Sequence, residues 1–357
     1  MQKVALITFH RALNYGAALQ TYATCKILRD MGYEVELIDV RIAERQNLIR
    51  RIATLLKKWR FARFRKRYYP KQTVRYHTMT EIRNNPPRAD YYMVGSDQTW
   101  NPLITGEMAE AFFLDFGKQE IPRIAFSVSF GNDEWPLSDK RVTTCLSKCV
   151  ERFEAVSVRE RSGLRICGDV FHREAVNTLD PTLLNVGYGE LSGPLRPQGN
   201  IVSYRIAPDD GYYRFAARLR EKTGKPLLLL GALKPVKGHR YVYPQRIERW
   251  VRAIAEADLV ITDSFHGMVF SILYERPFVV FIGNPKRIGR IRTLLQHLGL
   301  ENRLWTESEY DLEQIIELGN TPIDYSRVKA KLQSLRSASL LFLQDSLNRT
   351  KGPKPER

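Results

Sequence analysis

A serine, a histidine and a glycine stand together in Thr262-Asp-Ser-Phe-His-Gly267, directly after the short apolar run Leu259 to Ile261. Such a run suits a strand buried on both faces of a parallel sheet. Ser264 is then a good helix N-cap. His266 and Gly267 fall in the first turn, where N–H groups and the positive end of the helix dipole suit a carboxylate or a phosphate. A histidine there can hold a proton or release one. Alone, the same run serves equally well as a packed cap.

Other stretches offer complementary groups. Asn14-Tyr15-Gly16-Ala17-Ala18 puts small residues at the start of a helix, where a ligand can approach the backbone. It lacks the full G-x-G-x-x-G spacing, so a dinucleotide is not expected. Gly95-Ser96-Asp97-Gln98-Thr99-Trp100-Asn101-Pro102 is dense in sugar-recognising groups: Asp97, Gln98 and Asn101 can share paired hydroxyl hydrogen bonds, and Trp100 offers an apolar face. An Asx-turn loop with a packed indole is the plainer reading. Arg159, at the end of the apolar run Ala155 to Val158, could grip an anion with its fork or pair with Glu160.

The elements that carry these residues form two series. Val4 to Phe9 reads as a strand, Gly16 to Met31 as a helix and Glu34 to Val40 as a strand; this βαβ opening implies a doubly wound parallel sheet with ligands outside the strands' carboxyl ends. Strands follow at Tyr91 to Val94, Arg123 to Phe130 and Ala155 to Val158. A Gly- and Pro-rich stretch from about Asn185 to Asn200 reads as a linker. Beyond it, strands are expected at Ile201 to Tyr204, Pro226 to Leu230, Leu259 to Ile261 and Phe278 to Phe281, with helices between them. The expected fold class is α/β, two Rossmann-like domains facing across a cleft. Residues 1–190 are expected to form the N-terminal domain, residues 191–348 the C-terminal domain with a final helix at Tyr325 to Asn348, and residues 349–357 a charged tail, expected to be disordered.

A chain of 357 residues with 43% hydrophobic content suits two ordinary domains. No apolar run approaches the length of a membrane span, and the apolar start is too short for a signal peptide, so a cytoplasmic protein is expected. Cys25, Cys145, Cys149 and Cys167 make no C-x-x-C pair and read as free thiols. No metal-ligand spacing appears. The net charge of +17 is concentrated: Arg41 to Arg75 holds 13 Lys/Arg against the single acid Glu44. Within the basic helical segment 42–67, Leu48, Ile49, Ile52, Leu55, Leu56 and Trp59 recur at helical spacing. Arg50, Arg51, Lys57, Lys58, Arg60, Arg63, Arg65, Lys66 and Arg67 would then lie among anionic head groups at the inner face of a membrane. The alternative is that the apolar face packs on the N-terminal domain.

Asn14-Tyr-Gly-Ala-Ala-Leu-Gln20, Val94-Gly-Ser-Asp-Gln-Thr-Trp-Asn101, Ala125-Phe-Ser-Val-Ser-Phe-Gly131, Ser157-Val-Arg-Glu160, Leu179-Asp-Pro-Thr-Leu183 and Ile261-Thr-Asp-Ser-Phe-His-Gly267, taken in order, resemble the polysaccharide pyruvyl transferase family. The resemblance spans roughly residues 1 to 305. It implies two Rossmann-like domains of GT-B type and transfer of the pyruvyl group of phosphoenolpyruvate onto two hydroxyls of a cell-surface glycan or its lipid-linked precursor. The product is a cyclic ketal, and phosphate is released.

In that family the donor site includes the His-Gly pair and an arginine of the Ser-x-Arg motif, which map onto His266, Gly267 and Arg159. Members carry Arg-x-His where this chain has Ser264-Phe-His266, and Arg290 is the candidate replacement for the absent cation. The resemblance thus makes His266 and Arg159 catalytic, with Ser264, Gly267 and Arg290 on the donor. Asn14, Tyr15, Gly16, Ser96, Asp97, Gln98, Trp100 and Asn101 would meet the acceptor. No cofactor is expected beyond phosphoenolpyruvate as co-substrate. A glycosyltransferase using a nucleotide sugar is the enzymatic rival. A nucleic-acid-binding protein is weaker, because one segment accounts for most of the charge and the cleft motifs would have no task.

Overall fold

The computed structural model describes residues 1–42, 51–184, 186–206, 208–231, 240–242, 246–282, 288–306 and 310–348. Residues 349–357, residues 43–50, which include Leu48, Ile49 and Arg50 of the basic segment, and residues 283–287 lie outside them.

Two parallel sheets carry the fold. The first contains β1 (Lys3–Ile7), β2 (Glu34–Val40), β3 (Gln72–Tyr76), β4 (Tyr91–Val94), β5 (Arg123–Val128), β6 (Ala155–Val158) and β7 (Val176–Asn177), in the order β3-β2-β1-β4-β5-β6-β7. The second contains β8 (Ile201–Tyr204), β9 (Leu227–Leu230), β10 (Arg240–Val242), β11 (Leu259–Thr262), β12 (Phe278–Phe281) and β13 (Leu304–Trp305), in the order β10-β9-β8-β11-β12-β13. Val4 faces Val35 on one side and Tyr91 on the other, and every residue of β4, β5 and β6 is buried. Helices covering both faces explain why these strands read as continuous apolar runs rather than as alternating ones.

The order reverses between β1 and β4 in the first sheet and between β8 and β11 in the second. A crevice opens at such reversals outside the carboxyl ends of the strands. The loops that emerge there are 8–14 and 95–101 from the first sheet, and 205–209 and 263–264 from the second.

One apolar cluster runs through both halves. It joins Tyr15, Tyr22 and Phe61 to Trp250, Phe265 and Phe270, and Tyr15 stacks on Trp250 with centroids 5.3 Å apart. The Tyr325–Asn348 helix, assigned from sequence to the C-terminal half, bridges the two. Its first residue donates from Tyr325 Oη to the Arg276 carbonyl, while its far end accepts from Tyr91 Oη at Leu347 O, and Ser339 Oγ receives the Leu179 N–H. Among the described residues no helix is long and apolar enough to cross a membrane.

Candidate active site

Ser264 caps the Phe265–Leu273 helix: its backbone is extended and its Oγ accepts from the Gly267 N–H at 3.4 Å. Gly267 has no room for a side chain, since a Cβ would stand 2.3 Å from Thr262 Oγ1. His266 therefore leaves the helix in its first turn, at the end of β11, and is 7% exposed. It meets the first turn of a second helix. Asn14 caps Tyr15–Asp30 by accepting from the Ala17 N–H, and a Cβ on Gly16 would stand 2.0 Å from His266 Nδ1. Two helix N-termini, one from each sheet, thus converge on one imidazole.

The other edge of that ring faces Asp180. His266 Nε2 lies 3.6 Å from Asp180 Oδ1, too long for a hydrogen bond but close for a charge, and has no hydrogen-bond partner among the described residues. Asp180 is held on all sides. Oδ1 accepts from the Thr182 N–H (3.0 Å) and Oγ1 (2.6 Å), and Oδ2 from Ser96 Oγ (2.9 Å) and Arg159 Nη1 (2.7 Å). Burial alone would raise this carboxyl. The facing His266 and Arg159 outweigh it and hold Asp180 well below the usual carboxylate range, so it stays ionised.

Arg159 is enclosed rather than presented to an open crevice. Besides Asp180, its guanidinium meets Asp97 Oδ1 (3.4 Å) and Glu160 Oε2 (3.8 Å), and it lies over the Phe265 ring at 5.2 Å. A direct grip on a donor, expected from sequence, is corrected to a grip on three carboxylates. Glu160 Oε1 accepts from the Phe130 N–H at 2.9 Å. Burial pushes the Glu160 carboxyl up, against the pull of Arg159 and Arg290. Arg290 stands in the first turn of the Gly289–Leu298 helix, and with Gly289, Glu160, Gly131, Asn132 and Asp133 it lines a small polar crevice beside Arg159.

The 95–101 loop divides. Trp100 is fully buried, stacked on Phe113 at 4.9 Å and donating from Nε1 to Phe112 O, so it presents no face to a sugar. Asn101 Oδ1 caps the Pro102–Thr105 turn by accepting from the Leu103 N–H, and Ser96 is fully buried against Asp180. Tyr15 is buried in its stack on Trp250. Exposed Asn14 works as a cap. Ser96, Tyr15 and Trp100 are corrected from acceptor contacts to framework, because their side chains are buried against Asp180, Trp250 and Phe113; Asn14 and Asn101 give their Oδ1 to caps, and Asn101 Nδ2 is buried with no hydrogen-bond partner among the described residues. Asp97 and Gln98 remain half-buried at the crevice. Asp97 has φ +84°, a left-handed conformation rare outside glycine, and Ser127 close by has φ +53°. Such strain gathers at functional sites. Gln98 Oε1 is buried with no hydrogen-bond partner among the described residues, close against Gly131.

Asp180 is the residue that sequence reasoning quoted in a motif without giving it a task. Arg205 was missed as well. It directly follows β8, pairs with Asp263 through Nε (3.2 Å), and is held between the rings of Tyr212 (4.5 Å) and Phe281 (5.1 Å). Asp263 also accepts from the Ile206 N–H at 2.7 Å, so this pair fixes the turn that aims His266. A Tyr-Arg at a strand end was the available signal.

A family model for polysaccharide pyruvyl transferases matches residues 14–285, which include His266, Asp180, Arg159, Asp97 and Gln98 but not Arg290. The chain belongs to that family. No curated protein matches it in sequence. Among solved structures it is similar to the UDP-GlcNAc 2-epimerase of Neisseria meningitidis bound to UDP-GlcNAc, with 10% identity over 98% of this chain and 100% of that one and a TM-score of 0.59. A putative UDP-N-acetylglucosamine 2-epimerase of Listeria monocytogenes gives 11% identity over 99% and 98% of the two chains, with a TM-score of 0.60. The spinosyn forosaminyltransferase SpnP gives 11% over 99% and 100%, with a TM-score of 0.53. At these identities the likeness is one of fold: two parallel-sheet α/β domains of the GT-B kind.

Proposed function

We propose that this pyruvyl transferase takes phosphoenolpyruvate as donor and builds a cyclic ketal on two hydroxyls of a polysaccharide or its lipid-linked precursor, releasing phosphate. Supporting this reading is the convergence of two helix N-termini on His266, backed by ionised Asp180. Phosphoenolpyruvate carries a carboxylate and a phosphate, which such N-termini and Arg290 suit. His266 gives a proton to the methylene carbon, making it a methyl group and leaving C2 electron-poor. One sugar hydroxyl adds at C2, and the second displaces phosphate. The two hydroxyl protons are released, one restoring His266 and the other leaving with phosphate. Asp97 and Gln98 would orient the hydroxyl pair, and Arg159 holds Asp97 and Asp180 in place.

The same fold is seen in a UDP-GlcNAc 2-epimerase bound to UDP-GlcNAc and in a glycosyltransferase, so a nucleotide-sugar donor is the competing reading. The deciding experiment incubates the protein with phosphoenolpyruvate and a panel of nitrophenyl and lipid-linked sugars, following phosphate release and product mass. Thermal unfolding is recorded alongside. Phosphoenolpyruvate is expected to raise the midpoint and nucleotide sugars to leave it unchanged. The opposite pattern, with transfer of a sugar, overturns the proposal.

A further inference from the structure

The Arg51–Tyr68 helix turns two faces to two environments. Phe61, Phe64 and Tyr68 are buried in the core, with Phe61 5.4 Å from Tyr15 and Tyr68 5.9 Å from Tyr22. Lys57 follows them inward, over the Tyr15 ring at 5.7 Å, and burial lowers its ammonium. Arg65 is half-buried too, which corrects the expectation that both reach outward. At about 3.6 residues per turn, Leu55, Trp59, Arg63 and Lys66 fall within roughly a quarter turn on the opposite side. Leu55 is 63% exposed, Leu56 40% and Trp59 53%. The sequence pattern grouped them as a face that could pack on the domain, but Phe61 and Phe64 take that place. Lys58, Arg63, Lys66 and Arg67 are exposed around them.

We infer that this outward face docks the protein on an anionic lipid surface, with Leu55, Leu56 and Trp59 entering the head-group boundary and the four cations pairing with lipid phosphates. Charge and apolarity together select this occupant. A nucleic acid would satisfy the cations but leave Leu55 and Leu56 in water. A second copy would set cations against cations. A lipid surface accepts both, since Lys and Arg stems lie along apolar ground while their charged ends stay at the phosphates. The docked face is one helix layer from the cleft: Phe61 touches Tyr15, whose neighbour Gly16 meets His266. If the acceptor is lipid-linked, as in the proposed reaction, docking would bring the carrier to the site. Docking itself needs neither donor nor acceptor.

The test is co-sedimentation of the full chain with vesicles of phosphatidylglycerol and phosphatidylcholine, against phosphatidylcholine alone, at low and high salt. Binding is expected for the anionic vesicles only and should weaken with salt. Two variants, Leu55→Ser/Leu56→Ser/Trp59→Ser and Lys58→Gln/Arg63→Gln/Lys66→Gln/Arg67→Gln, should each lose more than about tenfold in partitioning. Because all seven residues are exposed, both should unfold near the wild-type midpoint. Brominated lipid should also quench wild-type fluorescence and spare Trp59→Phe. Pelleting that is absent or equal for both lipids overturns the inference, as does undiminished binding by the apolar variant. Retention of duplex DNA without vesicle binding does so too.

Discussion

Asp180 Oδ1 lies 3.6 Å from His266 Nε2 across the join between the two sheets. Asp180 comes from the turn after β7 and His266 from the turn after β11, so the contact exists only when both halves are in place. Thr182, Ser96 and Arg159 fill the acceptor positions of Asp180, and Gly16 closes the ring's other side. Orientation of the imidazole is therefore set by groups that do no bonding to it directly.

His266→Ala is expected to reduce turnover by about 10²- to 10⁴-fold, the contribution of a positioned general acid. Unfolding should remain cooperative with a modestly lowered midpoint, since a charge facing buried Asp180 is lost while Arg159, Ser96 and Thr182 still hold the carboxylate. Steady-state kinetics and thermal unfolding of the same preparation check this. Activity within a few-fold of wild type would remove His266 from the chemistry.

Gly16→Ala separates packing from helix stability. Alanine is the better helix former, so Tyr15–Asp30 itself should not suffer. The added Cβ, however, would overlap His266 Nδ1, forcing the ring aside or the two halves apart. The expected result is a cooperative fold whose kcat falls by about 10²-fold or more, as misplacement of a catalytic group costs. Unchanged kinetics would show that the cleft relaxes freely at this point.

Arg159→Ala should be a stability variant first. It leaves Asp97, Glu160 and Asp180 buried or half-buried without their shared cation, which costs about 3–5 kcal/mol when one partner of a buried pair is removed. Urea unfolding measures the loss. A variant as stable as wild type, with only a raised donor KM, would mean that the guanidinium is offered to the donor after all.

Much of the frame was legible in the chain. Continuous apolar runs marked β4 and β6 at their observed bounds, and the 24-residue pattern Tyr325 to Asn348 marked the last helix. β3 escaped because its residues lie at a sheet edge with Val74 and Arg75 exposed, so no alternation betrays it. Local signals also placed His266 correctly in a first turn. They could not show that Asp180 receives Ser96 from 84 positions away and Arg159 from 21, nor that Trp100 is taken by Phe113. Those pairings depend on which loops the strand order brings together. For the same reason, the inward face of the basic helix had to be seen rather than read.

Glu160 supplies a pH test with a definite sign. Its carboxyl is raised by burial, although Arg159 and Arg290 oppose the shift. Between the ordinary glutamate value, about 4.3, and the raised value, the native state holds more protons than the unfolded chain. Stability must then fall as pH rises through that window, and above it the buried carboxylate remains a constant cost. Glu160→Gln keeps an oxygen for the Phe130 N–H but cannot ionise. Its stability relative to wild type should therefore be lowest at pH values below the ordinary glutamate range and should rise as pH increases through the window. Urea midpoints for both proteins across a pH series check this. A difference that stays flat with pH would mean that Arg159 and Arg290 fully offset the burial of the charge.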